Sequence, residues 1–248
     1  MKDPSELGAL RSVTALEHRP SGSQERQLEV AVEEPFTILL AGETLAVTMR
    51  TPGHDDELTA GFLLAEGHDP SGKAGASGAI RRGTLSSAAC GVCGRDQVDD
   101  LIVRLRPVQS TARFAPEMIT RAMRRLPEHQ PAFARTGGVH GAALIAQDGT
   151  FLLAREDVGR HNAVDKVLGR AALDGLLPLS SYALAVSGRT SFEIVQKAIV
   201  AGVPAVLAIS APSSLAIELA ERFGVLLVGF ARGDSFTAYA GQQRLEDA

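Results

Sequence analysis

The run SYALAVSGRTSFEIVQKAIVAGVPAVLAIS, Ser181 to Ser210, decides the fold. Its first part, YALAVS, is a short apolar strand, and SFEIVQKAIVAG reads as a helix that Gly202 closes at its C-terminus. PAVLAIS is a second apolar strand. The pattern continues with SSLAIELAERFG as a helix ending at Gly224 and VLLVGF as a third strand. Strand and helix in alternation imply a sheet with helices on its faces, an α/β architecture.

Working back from Ser181, DVGRHNAVDKVLGRAAL (157–173) reads as a helix with Asp157 as its cap candidate. AALIAQDGTFLLARE (142–156) reads as a hairpin through QDGT. LIVRL (101–105) looks like a strand. PEMITRAMRRL (116–126) looks like a helix with Pro116 in its first turn and Ile119, Met123 and Leu126 inward. Residues 67–95 mix glycine and serine with no apolar period and read as a mobile loop. Before them, HDDELTAGFLLAEG (54–67) is a helix capped by Asp55 or Asp56, with Leu58, Phe62 and Ala65 on one face, and EPFTILLAGETLAVTMRTPG (34–53) alternates as a hairpin. Residues 1–26 are polar and aperiodic and read as a flexible tail. The division expected is therefore tail 1–26, an N-terminal α+β portion 27–135 that includes the loop, and an α/β domain 136–248.

The chain of 248 residues is 45% hydrophobic and 22% charged, with a formal net charge of -4. These are the proportions of a soluble globular protein, and no apolar run approaches the roughly 18 residues of a membrane span. MKDPSELGAL has neither an apolar core nor an arginine-rich amphipathic pattern, so the expected location is the cytoplasm. The acidic balance and the lack of a Lys/Arg cluster interleaved with aromatics argue against nucleic acid as a partner.

Both cysteines lie in SSAACGVCGR, as Cys90 and Cys93. In a reducing compartment such a pair reads as a zinc half-site, a dithiol redox centre, a sulfur relay or two inert thiols. Zinc wants about four ligands, and neither His140, His161 nor a carboxylate stands at the usual spacing, so no zinc is expected. TLSSAA is a poor strand to precede a thioredoxin-like helix. A nucleophilic thiol on a glycine-flanked arm, its thiolate favoured by Arg81, Arg82 or Arg95, accounts best for the residues present.

Two further stretches can hold an anion. VSGRTSFEIVQKA puts a glycine, Arg189 and hydroxyls at a strand end that opens into a helix, and VGFARGDSF puts glycine, Arg232 and Asp234 at the end of another strand, where open α/β sheets gather ligands. Each is equally readable as an ordinary capped helix or tight turn. No Walker or dinucleotide fingerprint occurs. GRHNAVDK carries Arg160, His161, Asn162, Asp165 and Lys166, some of which read as the solvated face of their helix.

Taken in order, CGVCGR, TGGVHGAAL, EDVGRHNAVDKVLG, SGRTSFEIVQKA and LVGFARGDSFTAYAGQQRL resemble the formate dehydrogenase accessory sulfurtransferase family, FdhD, from about Glu33 to Leu245. The resemblance implies a sulfurtransferase that accepts sulfur from a cysteine desulfurase as a persulfide. It then delivers the sulfur to the molybdenum of bis-molybdopterin guanine dinucleotide before formate dehydrogenase receives that cofactor. It implies that Cys90 bears the persulfide, that Cys93 assists, and that Phe230, Ala231, Arg232, Gly233, Asp234 and Ser235 bind the cofactor, by backbone more than by side chain. A homodimer is implied too. The alternative is a cofactor-binding chaperone without sulfur chemistry.

The family is similar in fold to the cytidine deaminases, which implies a three-layer α/β/α core with a smaller N-terminal hairpin and helix. A zinc deaminase would need H-x-E and P-C-x-x-C, yet this chain has His161-Asn162-Ala163 and Gly188-Arg189-Thr190-Ser191-Phe192 in those places. The expected scaffold is deaminase-like and the expected chemistry is not. The phosphates of the guanine dinucleotide tails are expected on Arg189 and Arg232.

Overall fold

A computed structural model of the chain describes residues 8–72 and 102–246. Cys90, Cys93 and most of the 67–95 stretch lie outside the described residues.

At the centre is a six-stranded mixed sheet of order β10-β9-β8-β7-β5-β6. Its strands are β5 (His140–Ala146), β6 (Phe151–Asp157), β7 (Tyr182–Val186), β8 (Ala205–Ala208), β9 (Leu226–Arg232) and β10 (Ser235–Ala240). β7, β8 and β9 run parallel, as the alternation with helices predicts, while β5 pairs antiparallel with both β6 and β7, and β10 closes the other edge antiparallel to β9.

Side chains alternate across these strands and so build two cores. One face sends Leu144, Leu184, Val206 and Leu227 into a cluster with helices α4 (Arg160–Leu173), α5 (Phe192–Val200) and α6 (Ser214–Phe223). The other sends Ile145, Ala183, Leu207 and Val228 against Met118, Ile119, Ala122 and Met123 of α2 (Pro116–Arg125). Helix, sheet and helix are thus three layers. α2 is followed by a 3₁₀ turn (Leu126–His129) and α3 (Pro131–Thr136), while Gly202 and Gly224 adopt the left-handed backbone that ends α5 and α6.

The N-terminal portion adds the antiparallel hairpin β3 (Glu34–Leu40) and β4 (Glu43–Arg50) and helix α1 (Asp55–Ala65), which buries Leu58, Phe62 and Ala65. α1 lies directly on α4. Glycines permit this: a Cβ on Gly61 would stand 2.0 Å from the Asp165 carbonyl oxygen, and one on Gly169 would stand 1.8 Å from that of Glu57. Backbone therefore touches backbone, and α4 is enclosed between α1 and the sheet.

Several expectations need correction. Within the expected flexible tail 1–26, the described residues from 8 onward are ordered. Leu10–Arg19 (β1) and Gly22–Ala31 (β2) pair antiparallel over their full length, held by polar cross-strand contacts such as Gln27 to Thr14 and Arg26 to Glu17 and not by an apolar stripe. Where LIVRL is described, residues 102–104 are helical and not a strand. α1 starts from His54 in the left-handed region, with Asp55 drawn aside to Arg50 instead of capping. α4 starts from Gly159, and its central polar residues face no solvent: His161, Asn162, Asp165 and Lys166 are all buried.

No helix among the described residues is long and apolar enough to cross a membrane.

Candidate functional site

The C-terminal ends of β7, β8 and β9 lead into loops that lie side by side along one edge of the sheet. Between β7 and α5, the Ser187 amide bonds the Gly141 carbonyl and its hydroxyl accepts from the Gly141 amide at 2.8 Å. Thr190 then bridges to the β8–α6 loop, its amide donating to the Ala211 carbonyl and its carbonyl accepting from the Ser213 amide. On the other side of that loop, the Phe230 amide donates to the Ser210 carbonyl, and Arg232 Nε donates to the Ile209 carbonyl at 2.8 Å. The loop at 209–213 thus joins the segment carrying Arg189 to the segment carrying Arg232, about two strand spacings, or roughly 10 Å, apart.

Within 230–235 the residues divide. Phe230 is exposed, holds the left-handed backbone at φ 51, and lies under the Arg232 guanidinium with 5.9 Å from that group to the ring centroid. A phenylalanine in that backbone conformation is strained, which is the signature of a place where geometry serves something other than stability. Ala231 is buried in the core and offers only its backbone. Gly233, at φ 55, and Asp234 form the tight turn into β10, and the Asp234 carboxylate is paired with Arg124 of α2. Arg189 is exposed and has no ion-pair partner among the described residues. The structure therefore brings Arg189, Phe230 and Arg232 to one edge and turns Asp234 toward α2. Cys90 and Cys93 lie outside the described residues.

Behind this edge runs a chain of polar groups. The Ser191 side chain, at the N-cap of α5, accepts no hydrogen bond from its own helix; its hydroxyl lies 3.0 Å from His161 Nε2, while His161 Nδ1 lies 3.3 Å from Glu193 Oε2. Burial holds the His161 imidazole down at about 4, against the Glu193 charge, so the ring is neutral at physiological pH. Two interior lysines complete the layer. Lys197 Nζ reaches both Asp165 oxygens at 2.7 and 2.9 Å, and Lys166 Nζ lies 2.7 Å from Asp157. Asp157 also accepts from the backbone of Thr51 and Gly159 and from Asn162. These groups bind α4 and α5 to the strand preceding α1.

Two residues that sequence reasoning weighs only as a zinc ligand (His140) and as part of a helix face (Arg160) are brought by the structure to the same edge. His140 opens β5 beside Gly188, and Arg160 opens α4. A cation in a helix's first turn, where the dipole disfavours it, is the signal that points to Arg160.

A model of the FdhD/NarQ family matches residues 70–246, a span that includes Cys90, Cys93 and the whole sheet edge. The chain belongs to the FdhD/NarQ family. A sulfur carrier protein FdhD from Anaeromyxobacter dehalogenans is 44% identical over 253 residues, covering 87% of this chain and 88% of that protein. One from Streptomyces coelicolor is 43% identical over 249 residues with the same coverage. Among solved structures, a Desulfotalea psychrophila protein described as a formate dehydrogenase accessory protein superposes with a TM-score of 0.77 at 28% identity, covering 96% of this chain and all of that one. The FdhD/NarQ match thus takes in the motif runs from CGVCGR to LVGFARGDSFTAYAGQQRL.

Proposed function

We propose that this chain is a sulfur carrier serving formate dehydrogenase. Cys90 takes sulfur from a cysteine desulfurase, and the chain delivers it to the molybdenum of bis-molybdopterin guanine dinucleotide before that cofactor enters the enzyme. The observation that carries the reading is the pair of thiols in CGVCGR within a chain 44% identical to a protein named as a sulfur carrier.

The first transfer balances without an added oxidant. The Cys90 thiolate attacks the outer sulfur of the donor's persulfide. The donor's S–S bond breaks, its cysteine leaves as a thiolate, and a new S–S bond forms on Cys90. Cys93 is the assisting thiol. The cofactor is cargo, and its phosphates fit the exposed Arg189 and the Arg232 end of β9, with Phe230, Ala231, Gly233, Asp234 and Ser235 contributing mainly backbone. The setting proposed is the cytoplasm, with the chain acting as a homodimer.

Intact-protein mass spectrometry after incubation with a cysteine desulfurase and free cysteine tests this. The expected result is a gain of one sulfur atom in the wild type and none in Cys90→Ala. No gain in the wild type would favour a cofactor chaperone without sulfur chemistry. A gain that survives in Cys90→Ala and vanishes in Cys93→Ala would move the persulfide to the second thiol.

A further inference from the structure

His140 is flanked by two chain segments that each deliver an arginine. In the β5–β6 ladder it stands opposite Asp157, and the chain turns from there through Val158 and Gly159 to Arg160 at the start of α4. On its other side lies the end of β7. A Cβ on Gly188 would stand 3.3 Å from His140 Nδ1, and Arg189 is the next residue. The two guanidinium charges thus come from the segments that border one imidazole.

Among the described residues no carboxylate pairs with either guanidinium. Arg160 Nε is buried with no hydrogen-bond partner, and neither Arg160 nor Arg189 has an ion pair among the described residues. Asp157, the acid at hand, is committed to Lys166 at 2.7 Å and to Thr51, Gly159 and Asn162. The first turn of α4 contains no acidic residue, so its free amide ends add to the positive field. The Thr190 hydroxyl, next along the chain, is also buried without a partner. Unpaired cations held together and half out of water cost free energy, and local rules broken in this way collect at functional sites.

We infer that His140, Arg160 and Arg189 form a preformed pocket for a phosphate group, with Arg160 and His140 as binding residues alongside Arg189. This deepens the cofactor-delivery reading of the same edge and rests on it for the identity of the phosphate's bearer. Burial and then the Arg160 and Arg189 charges hold the His140 imidazole below its ordinary value, against the pull of Asp157. The remaining titratable neighbour, His161, is itself held neutral. An arriving dianion reverses the field at His140 and makes it take up a proton. Binding therefore tightens as pH falls through the bound-state value of His140.

Calorimetry on the full chain with pyrophosphate, GDP and guanosine, together with NMR titration of His140, tests the pocket. Pyrophosphate and GDP should bind and guanosine should not. Arg160→Gln should weaken pyrophosphate at least tenfold, and the His140 midpoint should rise on saturation with pyrophosphate. GDP binding tighter than pyrophosphate identifies a nucleotide as the bearer, whereas equal affinity identifies a free phosphate. Unchanged pyrophosphate affinity in a folded Arg160→Gln protein would overturn the pocket. So would a His140 midpoint in the wild type that pyrophosphate does not move, and that measurement decides the matter if the variant does not fold. Failure of the wild type to take sulfur on Cys90 would sink the carrier reading and leave these results standing.

Discussion

His161 and Asp165 lie four residues apart on α4, and burial drives their titrations in opposite directions. Burial raises the Asp165 carboxyl to about 7, with Glu193 and Glu66 reinforcing it against Lys197, and holds the His161 imidazole at about 4. Lys197 stays charged: burial works to lower it, but Asp165 and Glu193 together hold it above its ordinary value. One cation is thus shared by more than one carboxylate. The consequences for stability have opposite signs. The Asp165 contribution is complete below the unfolded value of 3.8 and is lost as pH rises through about 7. The His161 contribution is complete above 6.5 and is lost as pH falls through about 4. Between pH 4 and 6.5 the two slopes oppose each other, so the urea midpoint of the wild type should vary little from this source. Asp165→Asn should expose the His161 slope, with stability rising with pH by on the order of 3 kcal/mol across that window. His161→Gln should expose the reverse. Parallel midpoint-versus-pH curves for the wild type and both variants would contradict this account. Lys197→Met, which strips Asp165 of its cation, should cost about 3–5 kcal/mol at pH 8, read from the same denaturation curves.

Among the elements, the crossing of α1 over α4 is the least forgiving. Gly169→Ala would place a methyl group 1.8 Å from the Glu57 carbonyl oxygen and 2.5 Å from the Gly61 amide nitrogen, both backbone atoms that no rotamer change can clear. The helices would have to separate. The expected loss is at least the 1–3 kcal/mol of ordinary overpacking, at about 2–4 °C in Tm for each kcal/mol in a domain of this size. Gly138→Ala, whose Cβ would meet only Ala31 and Thr136 side-chain atoms at 3.6 Å and the Thr136 carbonyl at 3.9 Å, should shift Tm little. This crossing is also where sequence reading meets its limit. The apolar face of α1 and the strands of the sheet are legible, because Leu58, Phe62 and the YALAV and AVLA runs follow the helix and strand periods. The burial of α4 on both sides is not, because Asp165 and Lys166 look like a solvated face until their partners, Lys197 from α5 and Asp157 from β6, are in place. The β1–β2 hairpin escapes notice for the opposite reason: its polar residues pair across the strands and leave no apolar alternation to read. The short apolar run LIVRL misleads because five such residues suit a strand or a helix equally.

For the molecule as a whole, the arrangement depends on a C-terminal residue holding a mid-chain connector. Arg244, in the 3₁₀ turn Gln242–Arg244, donates from Nε to the Gly224 carbonyl at 2.7 Å, closing the end of α6. It also donates to the Ser110 carbonyl at 2.9 Å and, at 3.4 Å, to those of Ala112 and Val108. The adjacent Phe114–Leu245 bridge continues the same seam. The connector 102–115 has no regular partner strand of its own, so these bonds join it to the sheet that carries Arg189 and Arg232. The anion-binding edge was half legible, since glycine and arginine at strand ends mark Arg189 and Arg232. Its other half depends on His140 standing between β6 and β7, an adjacency that only the antiparallel insertion of β5 creates. Stability and site therefore share one frame, fastened where the C-terminal turn meets the 102–115 connector. Arg244→Ala would take this donor from two half-buried carbonyls, Gly224 and Ser110, and two buried ones, Ala112 and Val108, at about 1–3 kcal/mol for each group that water cannot reach. A loss of about 3 kcal/mol in urea denaturation is expected, accompanied by faster amide exchange at Val108, Ala112 and Phe114 than in β7 and β8. Removing the exposed cation Arg222, which lies over the Phe223 ring, should change stability by less than about 0.5 kcal/mol. If Arg244→Ala proved no worse than Arg222→Ala, the seam would be ornament and the connector would be held by its apolar residues Leu105, Val108 and Phe114 alone.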